Sequence, residues 1–187
     1  MSAVESFAQA LKGLNAEMSF AATKEETVAI VTGAVNRSRA SSVVVAGLPG
    51  PVRSLVLSAL DGVKVVDAER LSGEDAKEAV SGADIGVTWA ANGLVKEGAL
   101  LEVTWDDAIK LASSLPMMHV ALLSEKGLLP DLAAGMLEAG RIVSSSPNPK
   151  PIVSFIAGPS KTADIESRLL YGVHGPHTML VIVLGWI

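Results

Sequence analysis

The chain has 187 residues, a formal net charge of −5 and 49% apolar residues, which fits one domain with a large core. It contains no cysteine, and this excludes a thiol nucleophile, a disulfide and a cysteine-ligated zinc or iron–sulfur site within the chain. It also lacks the Lys and Arg clusters of a nucleic-acid surface and any apolar run of the ~18 residues that span a bilayer, so we expect a cytoplasmic protein.

Two helices are predicted at the start of the chain. The first covers residues 3–18, where apolar side chains recur at helical spacing. The second begins at Thr23, which forms a T-x-x-E capping box with Glu26, so that each side chain accepts a free backbone N–H of the first turn. We expect residues 1–40 to pack as a helical extension on a main α/β domain formed by residues 41–187.

From residue 42 onward, short apolar strands alternate with helices. This alternation is typical of a doubly wound, mainly parallel sheet, and the low aromatic content of 4% indicates that its core is aliphatic. The predicted strands are Ser42–Ala46, Val63–Val66, Asp84–Trp89, Ala99–Trp105, His119–Leu123, Ile152–Ala157 and Met179–Leu184. The predicted helices are residues 51–60, Glu74–Val80, residues 106–113, Pro130–Glu138 (ended by Gly140) and Thr162–Leu170.

Two stretches depart from this alternation. Residues 84–105 contain two consecutive strands and indicate a hairpin, with its turn either at Asn92-Gly93 or at residues 96–98. Residues 144–151 contain three prolines and indicate an extended loop or a hinge before the C-terminal part of the chain.

The most informative stretch follows the predicted strand that ends at Ala157. At the expected start of the next helix, free backbone N–H groups, the positive end of the helix dipole and the charge of Lys161 would face one loop. This arrangement predicts a site for a carboxylate, a phosphate or a pyrophosphate beyond the strand end. The candidate anion-binding residues are Gly158, Ser160, Lys161, Thr162 and Asp164. In the alternative interpretation, Ser160 or Thr162 only caps the helix and Asp164 complements its dipole.

Three further polar residues are candidates for chemistry. His174 lies in a turn rich in Gly and Pro, where it could orient a ligand, act as a general acid or base, or bond the loop backbone. Glu97 lies at a tight turn, either as a carboxylate at the mouth of a site or as a solvated turn residue. His119 opens an apolar strand, as a ligand-binding residue or as a hydrogen-bonded core residue.

The loop Gly47–Gly50, which precedes a predicted helix, is a weak candidate for a phosphate loop because it lacks the spacing of known phosphate loops.

These C-terminal segments resemble a known protein family. The segments GPSKTADIE at 158–166 and GVHGP at 172–176 are similar to the C-terminal signature of the LUD domain, a family of lactate-utilisation proteins. Gly98 falls at the E-T-G-T turn of that family, and residues 110–119 fall on its R-L-x-S-L-L-P-P-x-H stretch. The similarity is good over roughly residues 83–184, and it extends to the N-terminal part only in general layout.

The chain also departs from the family pattern. If the replaced polar residues hold the family's ligand, this chain binds another ligand or binds the same one weakly. The departures are Ala91 for an Asp, Lys96-Glu97 for a Glu-Thr pair, Ala99 for a Thr, Lys110 for an Arg and Met117 for a Pro.

The resemblance implies a three-layer α/β sandwich like that of the NagB/RpiA/CoA-transferase superfamily. It also implies a role in oxidising L-lactate to pyruvate, as a non-redox subunit beside iron–sulfur partner proteins. The subunit would bind a small carboxylate or phosphate-bearing ligand, with Lys110 and His119 among the binding residues. It establishes no cofactor, no metal site and no catalytic residue, so Glu97 and His174 are candidates only and enzyme activity stays open. The alternatives are a ligand-sensing protein and a stand-alone isomerase or CoA transferase on a phosphorylated or acyl-CoA substrate, with Glu97 or Glu102 as nucleophile.

Overall fold

The computed structural model describes residues 1–71, 73–148, 150–159, 161–163, 169–171 and 175–187. Of these, residues 74–76, 161–163 and 169–171 are described by their backbone alone. The helices are α1 (Ala3–Gly13), α2 (Lys24–Ser38), α3 (Gly50–Ser58), α4 (Gly73–Ser81), α5 (Asp107–Ser114) and α6 (Leu132–Ser145). The strands are β1 (Glu17–Ala21), β2 (Ser42–Ala46), β3 (Lys64–Asp67), β4 (Ile85–Trp89), β5 (Asn92–Leu94), β6 (Ala99–Thr104), β7 (Met118–Ser124), β8 (Leu128–Leu129), β9 (Ile152–Ile156), β10 (Lys161–Ala163), β11 (Leu169–Tyr171) and β12 (Thr178–Leu184). Across the described residues, none of the helices combines the length and the apolar character that crossing a membrane requires.

A six-stranded sheet forms the centre of the fold. Its strands lie in the order β1-β12-β7-β4-β2-β3, and every neighbouring pair is parallel. Consecutive side chains of a strand point to opposite faces of the sheet, and all three side chains of the run Val43–Val45 are buried. Both faces of the sheet must therefore be covered. Helices supply that cover on each face, and the predicted three-layer α/β sandwich with a mainly parallel sheet is confirmed.

The two faces of the central sheet are covered differently. One face packs against α2 and α3 through an aliphatic cluster that includes Val31, Val52 and Val56. On the other face, α4 and α5 pack against β2 and its neighbours. The rest of that face packs against α1 and β6, through side chains that include Phe7 and Leu100. The candidate polar cluster described below lies on this second face.

Gly86 in β4 allows α5 to lie directly on the central sheet. A Cβ atom added at this position would overlap the carbonyl oxygen of Ala112 in α5 and would also lie 3.0 Å from the Pro116 side chain. Only glycine fits such a close approach between two backbones. The helix is held from its other end by Asp106, whose side chain accepts the Ala108 N–H at 2.8 Å.

A second, four-stranded sheet lies beside the central one, in the order β8-β5-β6-β9. The pairs β5–β6 and β6–β9 are antiparallel, and β5–β8 is parallel. Along β6 the side chains alternate, so that Leu100 and Glu102 face the central sheet while Leu101 and Val103 face outward. The outward face is covered by α6, where Gly135 packs against Leu94.

The predicted first helix is too long. Helix α1 ends at Gly13, and Met18 lies in β1, which pairs with β12 at one edge of the central sheet. The chain turns at Asn15, whose φ of 61° lies in the left-handed region that Asn tolerates better than most residues. Residues 1–40 therefore supply a strand as well as two helices, and the division of the chain at residue 40 stays a prediction.

Local capping near the second helix follows the prediction with one difference. Thr23 precedes α2 and accepts the N–H of Glu26 at 3.2 Å. The Glu26 carboxylate accepts the N–H of Ala22 at 2.7 Å, one residue before the position that a T-x-x-E box predicts.

A hairpin exists in this stretch, but the two predicted strands do not form it. The predicted strand Asp84–Trp89 is β4 of the central sheet, and β6 pairs instead with the short strand β5. Its turn lies between β5 and β6 and includes Gly98 at φ +65°, so the second of the two predicted turns is the observed one. Asn92 and Gly93 lie in β5 itself. A Cβ atom at Gly93 would lie 2.8 Å from Leu128 and 2.9 Å from Phe7, so a larger residue at this strand position would force these side chains to shift.

Two predicted C-terminal helices are wrong in different ways. Helix α6 continues through Gly140 to Ser145, shortly before Pro147, because a single glycine costs a helix only about 1 kcal/mol and does not by itself end it. The predicted helix Thr162–Leu170 is absent at both ends, where β10 and β11 pair antiparallel with Lys161 opposite Tyr171. Hydrogen bonding between the two strands outweighs the local helical pattern there, and residues 164–168 lie outside the described part of the chain.

Candidate functional site

The described ends of the two predicted C-terminal segments lie at the amino-terminal edge of the central sheet. Gly158, at φ +81°, packs against the turn before β1, where an added Cβ atom would lie 2.8 Å from the Leu14 carbonyl oxygen. His177 donates its backbone N–H to the carbonyl of Met117, just before β7, at 2.8 Å. Gly158 does follow the end of a strand, as predicted, but β9 is not part of the parallel sheet. The expected position beyond the carboxyl ends of parallel strands is therefore wrong for the described ends of these segments, and the anion site itself stays a prediction.

A small cavity opens at this edge and borders both segment ends. Its volume is about 180 Å³, below the ~300–1,000 Å³ of pockets for drug-sized ligands, so it suits a small molecule. Asn15 follows the Leu14 that contacts Gly158, and Thr178 follows His177. The cavity, called the amino-edge cavity below, is lined by Asn15, Glu17, Arg37, Ser38, Met118, Thr178 and Met179.

The amino-edge cavity carries one positive and one negative side chain. Arg37 lies in the last turn of α2 and is exposed, and Glu17 opens β1 on the other side. A guanidinium presents several N–H donors in a plane and can bind a carboxylate through two of them. The arrangement can therefore hold a small carboxylate at Arg37, with Ser38 as a neighbouring hydroxyl.

A second group of polar residues lies buried between the two sheets. The register of β4 and β7 pairs Gly86 with His119, so Thr88 and His119 point to the same face of the central sheet. Glu102 reaches them from β6 of the second sheet. Thr88 is 0% exposed, Glu102 is 3% exposed and His119 is 1% exposed.

Short hydrogen bonds join these three side chains through Thr88. Its hydroxyl donates to Glu102 Oε1 at 2.6 Å and lies 2.8 Å from His119 Nε2. With its only proton directed to the carboxylate, the hydroxyl must accept the Nε2–H of the imidazole. Burial lowers the pKa of His119 below its ordinary value, the Glu102 carboxylate opposes this, and the Lys110 ammonium adds to it. The imidazole is therefore neutral, and its 3.6 Å contact with Glu102 Oε1 is not an ion pair.

Two atoms of this cluster keep hydrogen-bonding capacity. Among the described residues, Glu102 Oε2 and His119 Nδ1 are buried and have no hydrogen-bond partner. Both atoms can accept a hydrogen bond, so they are the positions at which a further donor could bind the cluster.

The predicted site residues do not all come together. His119 lies in the buried cluster, and Lys110 on α5 is close enough to influence its pKa. Glu97 lies in the hairpin turn, and its Oε2 is buried without a hydrogen-bond partner in the described part of the chain. His177 is exposed.

The remaining predicted residues are described in part or not at all. Ser160, Asp164 and His174 lie outside the described residues, and Lys161 and Thr162 are described only as backbone in β10. Among the described residues, no three His, Asp or Glu side chains are grouped so that they could hold a metal ion. The Gly47 N–H in the weak phosphate-loop candidate is already bonded to the Glu69 carboxylate at 3.0 Å.

Sequence reasoning missed Thr88 and Arg37, and it treated Glu102 only as a possible nucleophile. The signal for the cluster was present, because Glu102 is the one charged residue in the otherwise apolar or hydroxyl-bearing strand β6. A charge in a strand that faces a core needs a buried partner. Arg37 had no comparable signal, since it joins the amino-edge cavity only through the way α2 packs.

Comparison with known proteins identifies the family. Residues 4–184 match the sequence profile of the LUD domain. The chain belongs to the LUD domain family. The resemblance drawn from the C-terminal motifs is thereby confirmed. The match also includes the N-terminal part of this LUD domain, whose sequence resembled the family only in general layout.

Curated relatives of this LUD domain carry the name Lactate utilization protein C. The one from Anoxybacillus flavithermus is 36% identical over 124 residues, which cover 66% of this chain and 53% of the relative. The one from Exiguobacterium sp. is 34% identical over 106 residues, with 55% and 45% coverage. The one from Bacillus subtilis is 25% identical over 116 residues, with 62% and 48% coverage. This LUD domain thus spans about half the length of the curated relatives it matches.

A solved structure has the same fold. The crystal structure of a DUF162 family protein from Deinococcus radiodurans superposes with a TM-score of 0.68 and covers 99% of each chain. Its sequence is 20% identical to this chain, so the comparison concerns the fold alone.

Proposed function

We propose that this LUD domain is a non-redox subunit or accessory protein in the oxidation of L-lactate to pyruvate, and that it binds a small anionic ligand. The observation that carries the proposal is the similarity to proteins named Lactate utilization protein C, at 36% identity over 124 residues in one case. The whole-chain match to the LUD domain supports the same assignment.

The chemistry of the chain fits an accessory role. Oxidation of lactate releases two electrons, which need an acceptor. The chain has no cysteine, so a cysteine-ligated iron–sulfur cluster would belong to a partner protein. The LUD domain would then bind the organic acid or assemble the complex while the partner carries the electrons.

We place the small anionic ligand in the amino-edge cavity. The charge of Arg37 and the small volume of the cavity support this position. Gly158, which begins one predicted segment, and His177, which ends the other, lie near this cavity. The first segment also contains Ser160, Lys161 and Thr162, whose side chains lie outside the described part of the structure. Because β10 begins where a helix was expected, the proposal rests on Arg37 and no longer on a helix dipole.

Thermal unfolding against a ligand panel tests the binding part of the proposal. The panel holds lactate, pyruvate, phosphate, a sugar phosphate and CoA. A ligand at about 100 times its Kd stabilises the folded state by ~2.7 kcal/mol, which raises Tm by about 5–10 °C for a domain of this size. We expect a rise with lactate or pyruvate.

Matched variants locate the site in the same experiment. Arg37→Gln should abolish the rise, whereas Arg39→Gln, two residues away and also exposed, should preserve it. The double variant Ser160→Ala with Thr162→Ala should reduce it. A rise of the same size in wild type and Arg37→Gln would show that the ligand binds elsewhere.

The second candidate function is a stand-alone isomerase or CoA transferase. The buried carboxylate of Glu102, with one oxygen unpartnered among the described residues, is the observation that favours it. At 3% exposure this carboxylate would need a rearrangement to reach a thioester. A rise of Tm with CoA or a sugar phosphate, and none with lactate or pyruvate, would support this candidate instead.

A further inference from the structure

The four edge strands of the two larger sheets differ in how they are protected. β1 contains Glu17, β3 contains Lys64 and Asp67, and β8 is only two residues long. Charged residues and short strands are the devices by which proteins prevent an edge strand from pairing with another chain. β9 has the sequence IVSFI and contains no charge, proline or glycine. It is therefore the one unprotected edge of these two sheets in the part of the chain that the structure describes.

The outward face of β9 is also uncovered. Phe155 pairs with Leu101 of β6, and both side chains point away from the central sheet. Leu101 is 0% exposed on this face, whereas Phe155 is 41% exposed and its neighbour Val153 is 40% exposed. The cover that α6 provides thus ends at β6, one strand before the edge.

We propose that β9 pairs antiparallel with β9 of a second copy of this chain, about a two-fold axis through Ser154. The pairing joins two four-stranded sheets into one sheet of eight. It places Val153 of each copy opposite Phe155 of the other, and Ile152 opposite Ile156. Pairs of aromatic and β-branched side chains stabilise neighbouring antiparallel strands, and no like charges oppose one another.

Self-complementarity is the reason to choose a second copy as the occupant. A two-fold axis requires the same patch on both partners, and the strand IVSFI reads as apolar–apolar–Ser–apolar–apolar in both directions. A strand of a second copy can bind the free backbone groups of the edge, and an apolar strand also covers the exposed Val153 and Phe155.

The expected dimer is weak. Stable dimers bury about 1,200–2,000 Å², which is more than two five-residue strands supply. Apolar side chains on α6, on the same face of the sheet, add to the surface, with Met136 62% exposed. We therefore expect an equilibrium between monomer and dimer with a Kd on the order of 1–100 μM.

Sedimentation velocity of the full chain at about 1–300 μM tests this equilibrium. The weight-average mass should rise with concentration from the 19.3 kDa of one chain towards twice that value. A mass that stays at one chain over the whole range would overturn the proposal.

A charge exchange tests the register. Val153→Lys and Phe155→Glu should each be monomeric at the highest concentration, since each sets a charge against an apolar side chain. An equimolar mixture should regain the dimer, because the introduced lysine of one variant then lies opposite the introduced glutamate of the other. Failure of the mixture to associate, with both variants folded by circular dichroism, would overturn the register about Ser154.

A matched control comes from β3, an edge strand that its own charged residues protect. Val65 in β3 is 37% exposed and also lies in an edge strand. Val65→Lys should dimerise like the wild type. If Val65→Lys weakens the dimer as much as Val153→Lys does, the association does not run through β9 and the proposal fails.

Discussion

Replacing Thr88 by Val tests whether one hydroxyl holds the buried polar cluster together. Val has nearly the shape of Thr but can make neither the 2.6 Å bond to Glu102 nor the 2.8 Å bond to His119. Both partners stay buried, and leaving a buried polar group unsatisfied costs about 1–3 kcal/mol, or more when the group is charged. We expect the free energy of unfolding to fall by about 3–5 kcal/mol, a large part of the ~5–15 kcal/mol that is typical of a domain.

Urea unfolding followed by circular dichroism measures this loss. Thr32→Val is the control, because the Thr32 hydroxyl makes a single 3.2 Å bond to the Ala59 carbonyl at a partly buried position and should cost about 1 kcal/mol or less. The double variant Thr88→Val with Glu102→Leu should be more stable than Thr88→Val alone, since no unpaired carboxylate then remains buried. A loss for Thr88→Val no larger than that for Thr32→Val would refute the hydrogen-bonded cluster.

Three further predictions concern the same unfolding assay. Gly86→Ala should destabilise the fold by about 3 kcal/mol, because the added methyl overlaps a backbone carbonyl of α5, whereas Gly140→Ala should stabilise it by about 0.5–1 kcal/mol, since that helical position has open space. Burial lowers the pKa of His119, so this residue binds a proton at higher pH in the unfolded chain than in the folded one. The free energy of unfolding should therefore be highest above about pH 6.5 and should decline below it by up to ~1.4 kcal/mol per pH unit. His119→Gln should flatten this decline between about pH 7 and 5, and the exposed His177→Gln should leave it unchanged. Backbone and hydroxyl hydrogen bonds from two serines lower the pKa of Asp84. Its contribution to the free energy of unfolding is therefore present above the pKa of the unfolded chain and is lost as the pH falls through the pKa of the folded state. Asp84→Asn should cost about 1 kcal/mol at neutral pH and less than that below about pH 3.

The central sheet was predictable because its strands are short apolar runs separated by helices. Strands β2, β4, β7 and β12 lie within one or two residues of their predicted bounds. Burial on both faces leaves a continuous aliphatic run, and this signal is local in the sequence. The helix caps Thr23 and Asp106 were predictable for the same reason, since a cap acts within three residues of its own position.

The second sheet could not be read from local pattern. β5 and β8 are three and two residues long and contain Gly or Leu without alternation, so their pairing depends on the strands beside them. β1 was hidden because Met18 continues the helical spacing of α1. The hairpin of β10 and β11 replaced a predicted helix because each residue pairs with one that lies six to ten positions away, outside the range of the local helical pattern.

The candidate site shows the same division between local and distant information. His119 was singled out from its position in an apolar strand, but its partners Thr88 and Glu102 come from two other strands in two sheets. The pairing of β4 with β7 sets Thr88 beside His119, and the packing of the second sheet on the central one brings Glu102 within 2.6 Å of Thr88. The amino-edge cavity likewise combines the end of α2 with the starts of β1, β7 and β12, and no segment of the sequence contains more than two of its lining residues in a row.

Lactate-dependent dye reduction in extracts of the native cell tests the proposed role most directly. Extract from a strain that lacks this chain should lose the activity, and adding the purified wild-type chain should restore it. Arg39→Gln should restore it equally well, whereas Arg37→Gln should restore little if the amino-edge cavity holds the organic acid. Undiminished lactate-dependent reduction in the extract that lacks the chain would contradict a role in lactate oxidation.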